Sequence, residues 1–205
     1  MKRVDLPFPG KYIYQDTNAQ AVSGIAAALQ NAVINAHDDA PRNVIELGSG
    51  CGIISIMLAL QRPSWSITGI EIQAHLHNLA LQNATLCEVP VSFLLEDIRT
   101  CKASPKADII LSNPPWQSAG SGILSPHESK NISRVELLCT MMELMQSLKR
   151  NLHQNGDAWL IYPHSREKDL QTAADKTFLD IKDILTAPDL KAHIICHLRH
   201  KGIEP

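Results

Sequence analysis

The stretch that decides the fold runs from Val44 to Leu58 and reads VIELGSGCGIISIML. Its first residues, Val44–Leu47, predict a short buried strand. Glycines follow at positions 48, 50 and 52, and the apolar run Ile53–Gln61 then predicts a helix. Glycine permits the tight turn between a strand and a helix, and it lets a ligand approach the backbone where a Cβ would clash. This order predicts a βα unit with a ligand-binding loop.

Short apolar runs alternate with helical segments along the rest of the chain. Further strands are predicted at 65–72, 91–95, 107–112 and 158–162, and a final pair at 178–185 and 193–198. Further helices are predicted at 17–36, 74–86, 136–152 (ended by Asn155-Gly156) and 166–174. Such alternation is typical of βαβ units. The predicted fold class is α/β, Rossmann-like and doubly wound, with a mostly parallel seven-stranded sheet, helices on both faces and a C-terminal antiparallel strand pair.

Length and charge limit the organisation and the partners. At 205 residues the chain fits one domain. We expect residues 1–40 to form an arm, irregular over residues 1–15, and a helix packed on the core, and residues 41–205 to form the α/β domain. The net charge of -2 gives no global attraction for nucleic acid. A polyanion site must therefore be local, and the basic stretch Lys191–Lys201 is one candidate.

The cysteines and the apolar runs indicate the compartment. Five scattered cysteines without a CxxC pair are typical of reduced thiols. No signal peptide is evident, and no apolar run approaches the roughly 18 to 20 residues that span a bilayer. We therefore expect a cytoplasmic protein without membrane contact. We also expect no metal site, because His193 and His197 share a strand face but lie too far apart along it.

Acids stand at the ends of three predicted strands. Glu46, directly before the glycines, would repel a phosphate and suits a cationic or amino-bearing ligand. Glu71 ends the second strand, where a carboxylate can accept hydrogen bonds from a ribose diol, although a solvated strand-end charge is the alternative. Asp97 can accept a hydrogen bond from an adenine amino group, with Ile72 and Ile98 on the ring faces. Its alternative is a turn or N-cap aspartate.

The fourth strand ends in Asn113-Pro114-Pro115-Trp116. Two consecutive prolines restrict the backbone and so aim the flanking carbonyls. An amino group on an aromatic ring or acyl carbon is a poor nucleophile, because its lone pair is delocalised. If the Asn113 side-chain oxygen and the Pro114 carbonyl accept its two hydrogens, the lone pair is freed for attack. Trp116 would stack on the flat target. The alternative is a rigid loop with a packed tryptophan.

The chain resembles the class I (Rossmann-like) methyltransferases, and within them the bacterial family that methylates adenine 37 of valine tRNA. The resemblance covers roughly residues 12–165 and rests on the motifs ELGSGCGIISIMLA, GIEI, EDI and ADIILSNPPW. It implies S-adenosylmethionine as methyl donor and the target amine at Asn113 to Trp116. The cofactor residues that it implies are Asp16, Thr17, Glu46, Gly48, Ser49, Gly50, Cys51, Gly52, Glu71, Ile72, Asp97, Ile98 and Asn113.

Several targets are compatible with this pattern. We expect methylation of an exocyclic adenine amine in RNA, with tRNA favoured. The alternatives are a protein glutamine amide, the N2 amine of guanine in ribosomal RNA, and an inactive cofactor-binding partner subunit. Trp116 stands where the family's adenine enzymes usually carry tyrosine or phenylalanine. The loop 117–134 holds only Lys130 and Arg134 as basic residues besides His127, so a partner protein is a further candidate for the missing basic surface.

Overall fold

The computed structural model describes residues 1–16, 24–114, 139–186 and 192–202. The strands are β1 Lys2–Asp5, β2 Tyr12–Gln15, β3 Asn43–Leu47, β4 Ser66–Glu71, β5 Ser92–Leu95, β6 Ala107–Ser112, β7 Leu152–Pro163, β8 Leu179–Thr186 and β9 His193–His200. The α-helices are α1 Gly24–Ala36, α2 Ile53–Gln61, α3 Ala74–Cys87, α4 Met141–Asn151 and α5 Glu167–Thr177.

Seven of these strands form one sheet in the order β5-β4-β3-β6-β7-β9-β8. Strands β3 to β7 pair in parallel, whereas β9 is antiparallel to both β7 and β8. The chain winds outward from β3 to β5, returns to β6 on the other side of β3, and continues outward. Ligands bind at the carboxyl ends of the strands where the winding direction reverses. The predicted fold class, with its terminal antiparallel pair, is confirmed.

The apolar core occupies both faces of this sheet. Helices α1, α2 and α3 cover one face and α4 and α5 cover the other. Alternate residues of each strand serve the two faces, so Val44 packs with α2 while its neighbour Ile45 packs with α4. Both faces of β3 and β6 are therefore buried, which explains why most of their residues are apolar.

The amino-terminal segment differs from the prediction. Residues 1–15 were expected to be irregular, but β1 and β2 form an antiparallel hairpin in which Val4 pairs with Ile13. Ile13 is buried in the same apolar cluster as α1 and α2. The hairpin is held from outside, because the Asn83 side chain on α3 bonds both the backbone N and the backbone O of Tyr14, each at 2.8 Å. Both strands are only four residues long, and Asn83 is distant from them in the sequence. The local sequence pattern therefore does not predict the hairpin.

The boundary between α4 and β7 also differs from the prediction. The helix was expected to run to residue 152 and stop at Asn155-Gly156, but it ends at Asn151, and β7 already begins at Leu152. Gly156 lies inside the strand, where a Cβ would come within 2.8 Å of the Asp108 carbonyl oxygen. Close backbone approach at an irregularity between β6 and β7 therefore explains this glycine. The described part of the helix starts after Thr140, which forms a capping box with Glu143.

Two residues of the predicted basic stretch Lys191–Lys201 pair with acids on neighbouring strands. Arg199 donates to the buried Asp157 at 2.5 Å, and His197 lies between Asp157 and Asp183. Burial opposes ionisation of Asp157, but hydrogen bonds from His197 and Arg199 outweigh it and lower its pKa to about 2. These groups join β7, β8 and β9 in an ion-pair network in which Arg199 stays half-exposed, and a polyanion site at this stretch stays a prediction. Lys191 itself lies outside the described residues.

Candidate active site

The glycine loop between β3 and α2 depends on its glycines. Gly48, Gly50 and Gly52 have φ of 75°, 56° and 83°, the left-handed region that other residues avoid. A Cβ on Gly52 would lie 2.6 Å from the Phe93 ring, whereas one on Gly48 or Gly50 would meet no heavy atom within 4 Å. The last glycine is thus required for packing. At Gly48 and Gly50 the backbone borders open space, so a ligand can approach it closely.

Glu71, at the end of β4, holds this loop in place. Its side chain is 5% exposed, and Oε2 accepts a hydrogen bond from the Gly50 backbone N at 2.8 Å. Oε1 accepts from the Gln73 N at 2.9 Å. Each carboxylate oxygen can accept a further bond. The geometry therefore leaves acceptor capacity for the ribose diol that the sequence predicts there, while it ties Glu71 to the glycine loop.

Glu46 lies beneath the loop rather than at its surface. It is 2% exposed, and its Oε2 accepts bonds from the Ser55 backbone N at 3.0 Å and from the Ser55 Oγ at 2.5 Å. Burial raises the pKa of Glu46 to about 8, and the bonds from Ser55 offset this only in part. A contact of Glu46 with the methionine part of a cofactor stays a prediction, and Ser55 is the partner that the sequence did not indicate.

The raised pKa predicts that stability depends on pH. The folded protein holds the Glu46 proton more tightly than the unfolded chain, so stability is full below the ordinary pKa of 4.5 and falls as the pH rises toward about 8. We expect Glu46→Gln to flatten this part of the curve. The measurement is the free energy of urea unfolding at several pH values above the ordinary pKa of 4.5. In that range the exposed Glu88→Gln is a control that keeps the wild-type slope, because its pairing with Lys11 lowers the pKa of Glu88. Parallel curves for wild type and Glu46→Gln would contradict the prediction.

Asp97 and Ile98 follow β5, which is the outer neighbour of β4. Arg99 engages both carboxylate oxygens of Asp97, with Nε at 3.0 and 2.9 Å and Nη2 at 2.6 Å from Oδ2. This fork lowers the pKa of Asp97 through its hydrogen bonds. Ile98 is half-buried, and Ile72 at the end of β4 is 39% exposed. The described geometry thus offers an ionised acceptor at Asp97, and the contacts of Asp97, Ile72 and Ile98 with adenine stay predictions.

The hairpin brings Asp16 toward the same edge of the sheet. Asp16 directly follows β2, and its Oδ2 lies 3.5 Å from His75 Nε2 in the first turn of α3. Asn83 fixes this arrangement, since its Nδ2 also donates to the Cys51 carbonyl of the glycine loop at 2.9 Å. Asp16 is therefore close to the start of the helix that follows Glu71. Thr17 lies outside the described residues.

Asn113 and Pro114 lie beside the glycine loop. They follow β6, whose Leu111 pairs with Glu46 of β3. The two strand ends are joined further by the Ser112 hydroxyl, which donates to the Leu47 carbonyl at 2.6 Å in a buried position. Asn113 is half-buried and Pro114 is buried. Pro115 and Trp116, together with the loop 117–134, lie outside the described residues, so their roles stay predictions.

Besides Ser55, the structure adds three side chains that the sequence did not single out. Asn83 joins the hairpin to the glycine loop, Ser112 joins β6 to β3, and Arg99 holds Asp97. A polar residue at the end of an apolar strand, as at Ser112, is the signal that would have found one of them, whereas Asn83 lies among other polar residues of α3. The Cys51 thiol is buried, which raises its pKa to about 12, and it is accordingly no nucleophile.

Two kinds of feature are missing from the described ranges. No three His, Cys, Asp or Glu side chains among residues 1–16, 24–114, 139–186 and 192–202 are arranged to hold a metal ion. Within the same ranges, no helix has both the length and the hydropathy needed to cross a bilayer.

The sheet order, the glycine loop and the strand-end acids define the class I methyltransferase architecture. The chain belongs to the methyltransferase small domain family, whose model matches residues 25–184. Family and fold are those of S-adenosylmethionine-dependent methyltransferases. The resemblance predicted from the motifs is thereby confirmed at the level of the family.

Two curated relatives bear on the target. The tRNA1(Val) (adenine(37)-N6)-methyltransferase of Glaesserella parasuis is 32% identical over 131 residues, which are 63% of this chain and 54% of the relative. The release factor glutamine methyltransferase of Enterococcus faecalis is 33% identical over 85 residues, 42% of this chain and 31% of the relative. The chain thus matches about half the length of the first relative and a third of the second.

A solved structure supports the fold. Magnesium protoporphyrin IX methyltransferase from Synechocystis, solved with bound S-adenosylmethionine, superposes with a TM-score of 0.63 at 13% identity. The superposition covers 92% of this chain and 88% of that one. At this identity the similarity concerns the fold. The described glycine cradle of this chain fits such a cofactor, because Gly48 and Gly50 face open space next to Glu71.

Proposed function

We propose that the protein is an S-adenosylmethionine-dependent N-methyltransferase that methylates the exocyclic amine of adenine in RNA, with tRNA as the favoured substrate. The observation that carries the proposal is the attachment of β6 to β3 through Ser112, because it sets Asn113 and Pro114 next to the glycine loop. The curated relative named for adenine 37 of tRNA supports the choice of target.

The residues that would hold the cofactor are those of the glycine loop and the three acids. Gly48 and Gly50 present backbone to the methionine part, Glu71 accepts from the ribose hydroxyls, and Asp97 accepts from the adenine amino group. When bound, S-adenosylmethionine supplies an electrophilic methyl group on a positively charged sulfur. Glu46 lies buried below the loop and is proposed to contact the methionine part, with its pKa raised to about 8 by burial.

The chain's own contribution to the reaction is positioning. The side-chain oxygen of Asn113 and the carbonyl of Pro114 accept the two hydrogens of the target amine, which directs its lone pair toward the methyl group. The positive charge that develops on nitrogen is stabilised by the same two oxygens. The N–C bond would form as the C–S bond of the cofactor breaks, which would leave neutral S-adenosylhomocysteine, and the methylated nitrogen would then release one proton to water. Because that cationic nitrogen is acidic, no strong base is needed. Trp116 is proposed to stack on the base.

A second target is supported by a specific relative. The Enterococcus faecalis methyltransferase is named for glutamine in a release factor. A glutamine amide has a planar nitrogen, and the same two oxygens would accept hydrogen bonds from its two hydrogens. We rank it lower because the tRNA-methyltransferase match extends over 131 residues of this chain and the glutamine-methyltransferase match over 85.

The proposal is tested by incubating the protein with methyl-labelled S-adenosylmethionine and with three substrates separately: total tRNA, ribosomal RNA and a protein extract. We expect label in tRNA, as N6-methyladenosine after digestion. Label in ribosomal RNA as N2-methylguanosine, or in protein glutamine, would replace adenine by one of the alternatives. Cofactor binding without transfer to any fraction would favour a partner subunit that binds the cofactor but is inactive on its own.

The cytoplasmic location and the possible partner protein are also proposals. An RNA substrate places the protein where RNA is processed, and a partner is proposed because the basic groups of β9 are engaged within the protein. Residues 1–40 and 41–205 are likewise proposed as an appended arm with its helix and the methyltransferase domain. Co-purification of an intact tagged chain from cells would identify such a partner.

A further inference from the structure

The turn that follows β5, residues 97–101, is a single helical turn that does not continue into a helix. The Asp97 carbonyl accepts bonds from Thr100 N at 3.0 Å and Cys101 N at 2.9 Å, and Asp97 Oδ1 accepts from Arg99 N at 2.8 Å. One helical turn is unstable in isolation, since its nucleation cost is not repaid by propagation. The shape of this turn, and with it the position of Asp97 and Ile98, must therefore depend on contacts from elsewhere.

Helix α4 supplies these contacts from one face. Arg150 donates through Nη2 to the Ile98 carbonyl at 2.9 Å and through Nε to the Cys101 carbonyl at 3.0 Å. Ser147 Oγ donates to the same Ile98 carbonyl at 2.6 Å, and Asn151 Oδ1 accepts from Ala103 N at 2.8 Å. Residues three and four apart share one face of a helix, so Ser147 and Arg150 act on the turn together while Asn151 holds the segment that follows it.

The chemistry of these contacts is specific to arginine. Ser147 and Asn151 are buried, and Arg150 is half-buried with its Nη2 also 3.3 Å from Ser147 Oγ. A guanidinium is a planar fork that reaches two carbonyls at once, whereas a lysine ammonium is a single point charge on a flexible stem. Arg150→Lys therefore keeps the charge and loses the simultaneous hold on Ile98 and Cys101.

We infer that Arg150 is a positioning residue for the adenine end of the cofactor: it fixes the 97–101 turn so that Asp97 and Ile98 meet the ring. The inference rests on the proposed function, because it takes Asp97 and Ile98 as adenine contacts. Arg150 donates its hydrogen bonds to backbone carbonyls of the turn, so its effect on the cofactor is transmitted through Asp97 and Ile98.

The test compares two ligands and three proteins by calorimetry. The ligands are S-adenosylhomocysteine and its analogue in which unsubstituted purine replaces adenine and so lacks the amino group. Wild type is expected to prefer the first by at least about tenfold, the size of one hydrogen bond to a carboxylate. Arg150→Lys is expected to lose most of this preference. Lys149→Gln, whose ammonium lies 4.5 Å from the Phe178 ring centroid instead, is expected to keep it.

Each outcome decides between a positioning and a merely structural role. If Arg150→Lys weakens both ligands equally and keeps the wild-type preference, the inference is overturned while the proposed function stands. The inference is also overturned if wild type binds both ligands equally. If wild type binds neither ligand, the proposed function fails and the inference falls with it. Should Arg150→Lys not fold, Ser147→Ala, which removes one donor to Ile98, is expected to show a smaller loss of preference and decides in its place.

Discussion

Asn113→Ala is expected to lower the rate of methyl transfer by about a hundredfold to a thousandfold, the range found when one preorganised polar contact to a transition state is removed. The physical reason is that the alanine leaves the target amine with one acceptor, the Pro114 carbonyl, and its lone pair stays delocalised. The affinity for S-adenosylhomocysteine should stay within about threefold of wild type. The measurements are single-turnover transfer to the substrate fraction that accepts label, and calorimetric binding of the ligand.

The controls separate a catalytic role from a structural one. Asn78→Ala removes an exposed amide on α3 and should leave both quantities unchanged. Asn113→Asp keeps an oxygen in a similar place and should retain more activity than the alanine. Equal losses of transfer and of ligand affinity in Asn113→Ala, together with a lower unfolding temperature, would mean that the residue supports the fold and does not act on the amine.

Much of the sheet could be predicted from the sequence because its signals are local. The bounds of β6 and α2 agree with the predicted 107–112 and 53–61, since each is an apolar run bounded by polar or conformationally special residues. In this topology the binding site lies at the carboxyl ends of the parallel strands. The sequence alone therefore predicts Glu71 and Asn113 at the same edge of the sheet.

The remaining errors have non-local causes. The β1–β2 hairpin depends on Asn83, 69 residues away from Tyr14, and no nearby pattern indicates it. Gly156 resembles a helix stop but serves close packing between two strands. Arg199 is a half-exposed basic residue, and its partner Asp157 lies 42 residues away along the chain. Residue spacing predicts which side chains share a face of a helix or strand and where strands end. Hydrogen-bond and packing partners that are distant in sequence can be identified only from the tertiary structure.

The second large effect is expected at Glu71, the proposed acceptor for the ribose hydroxyls of the cofactor. Glu71→Gln is expected to weaken binding of S-adenosylhomocysteine by about a hundredfold, because it removes the charge that strengthens bonds from two ribose hydroxyls.

The Glu71→Gln substitution also turns an amide N–H toward either the Gly50 or the Gln73 backbone N–H, so a modest fall in unfolding temperature should accompany the loss. A 2′,3′-dideoxy analogue of the ligand separates the two effects: wild type should bind it weakly, and Glu71→Gln should bind it no more weakly than wild type does. The exposed acid variant Glu88→Gln serves as the control and should bind both ligands as wild type does. If Glu71→Gln weakened the dideoxy analogue as strongly as the natural ligand, its role would be to hold the glycine loop and not to bind the ribose.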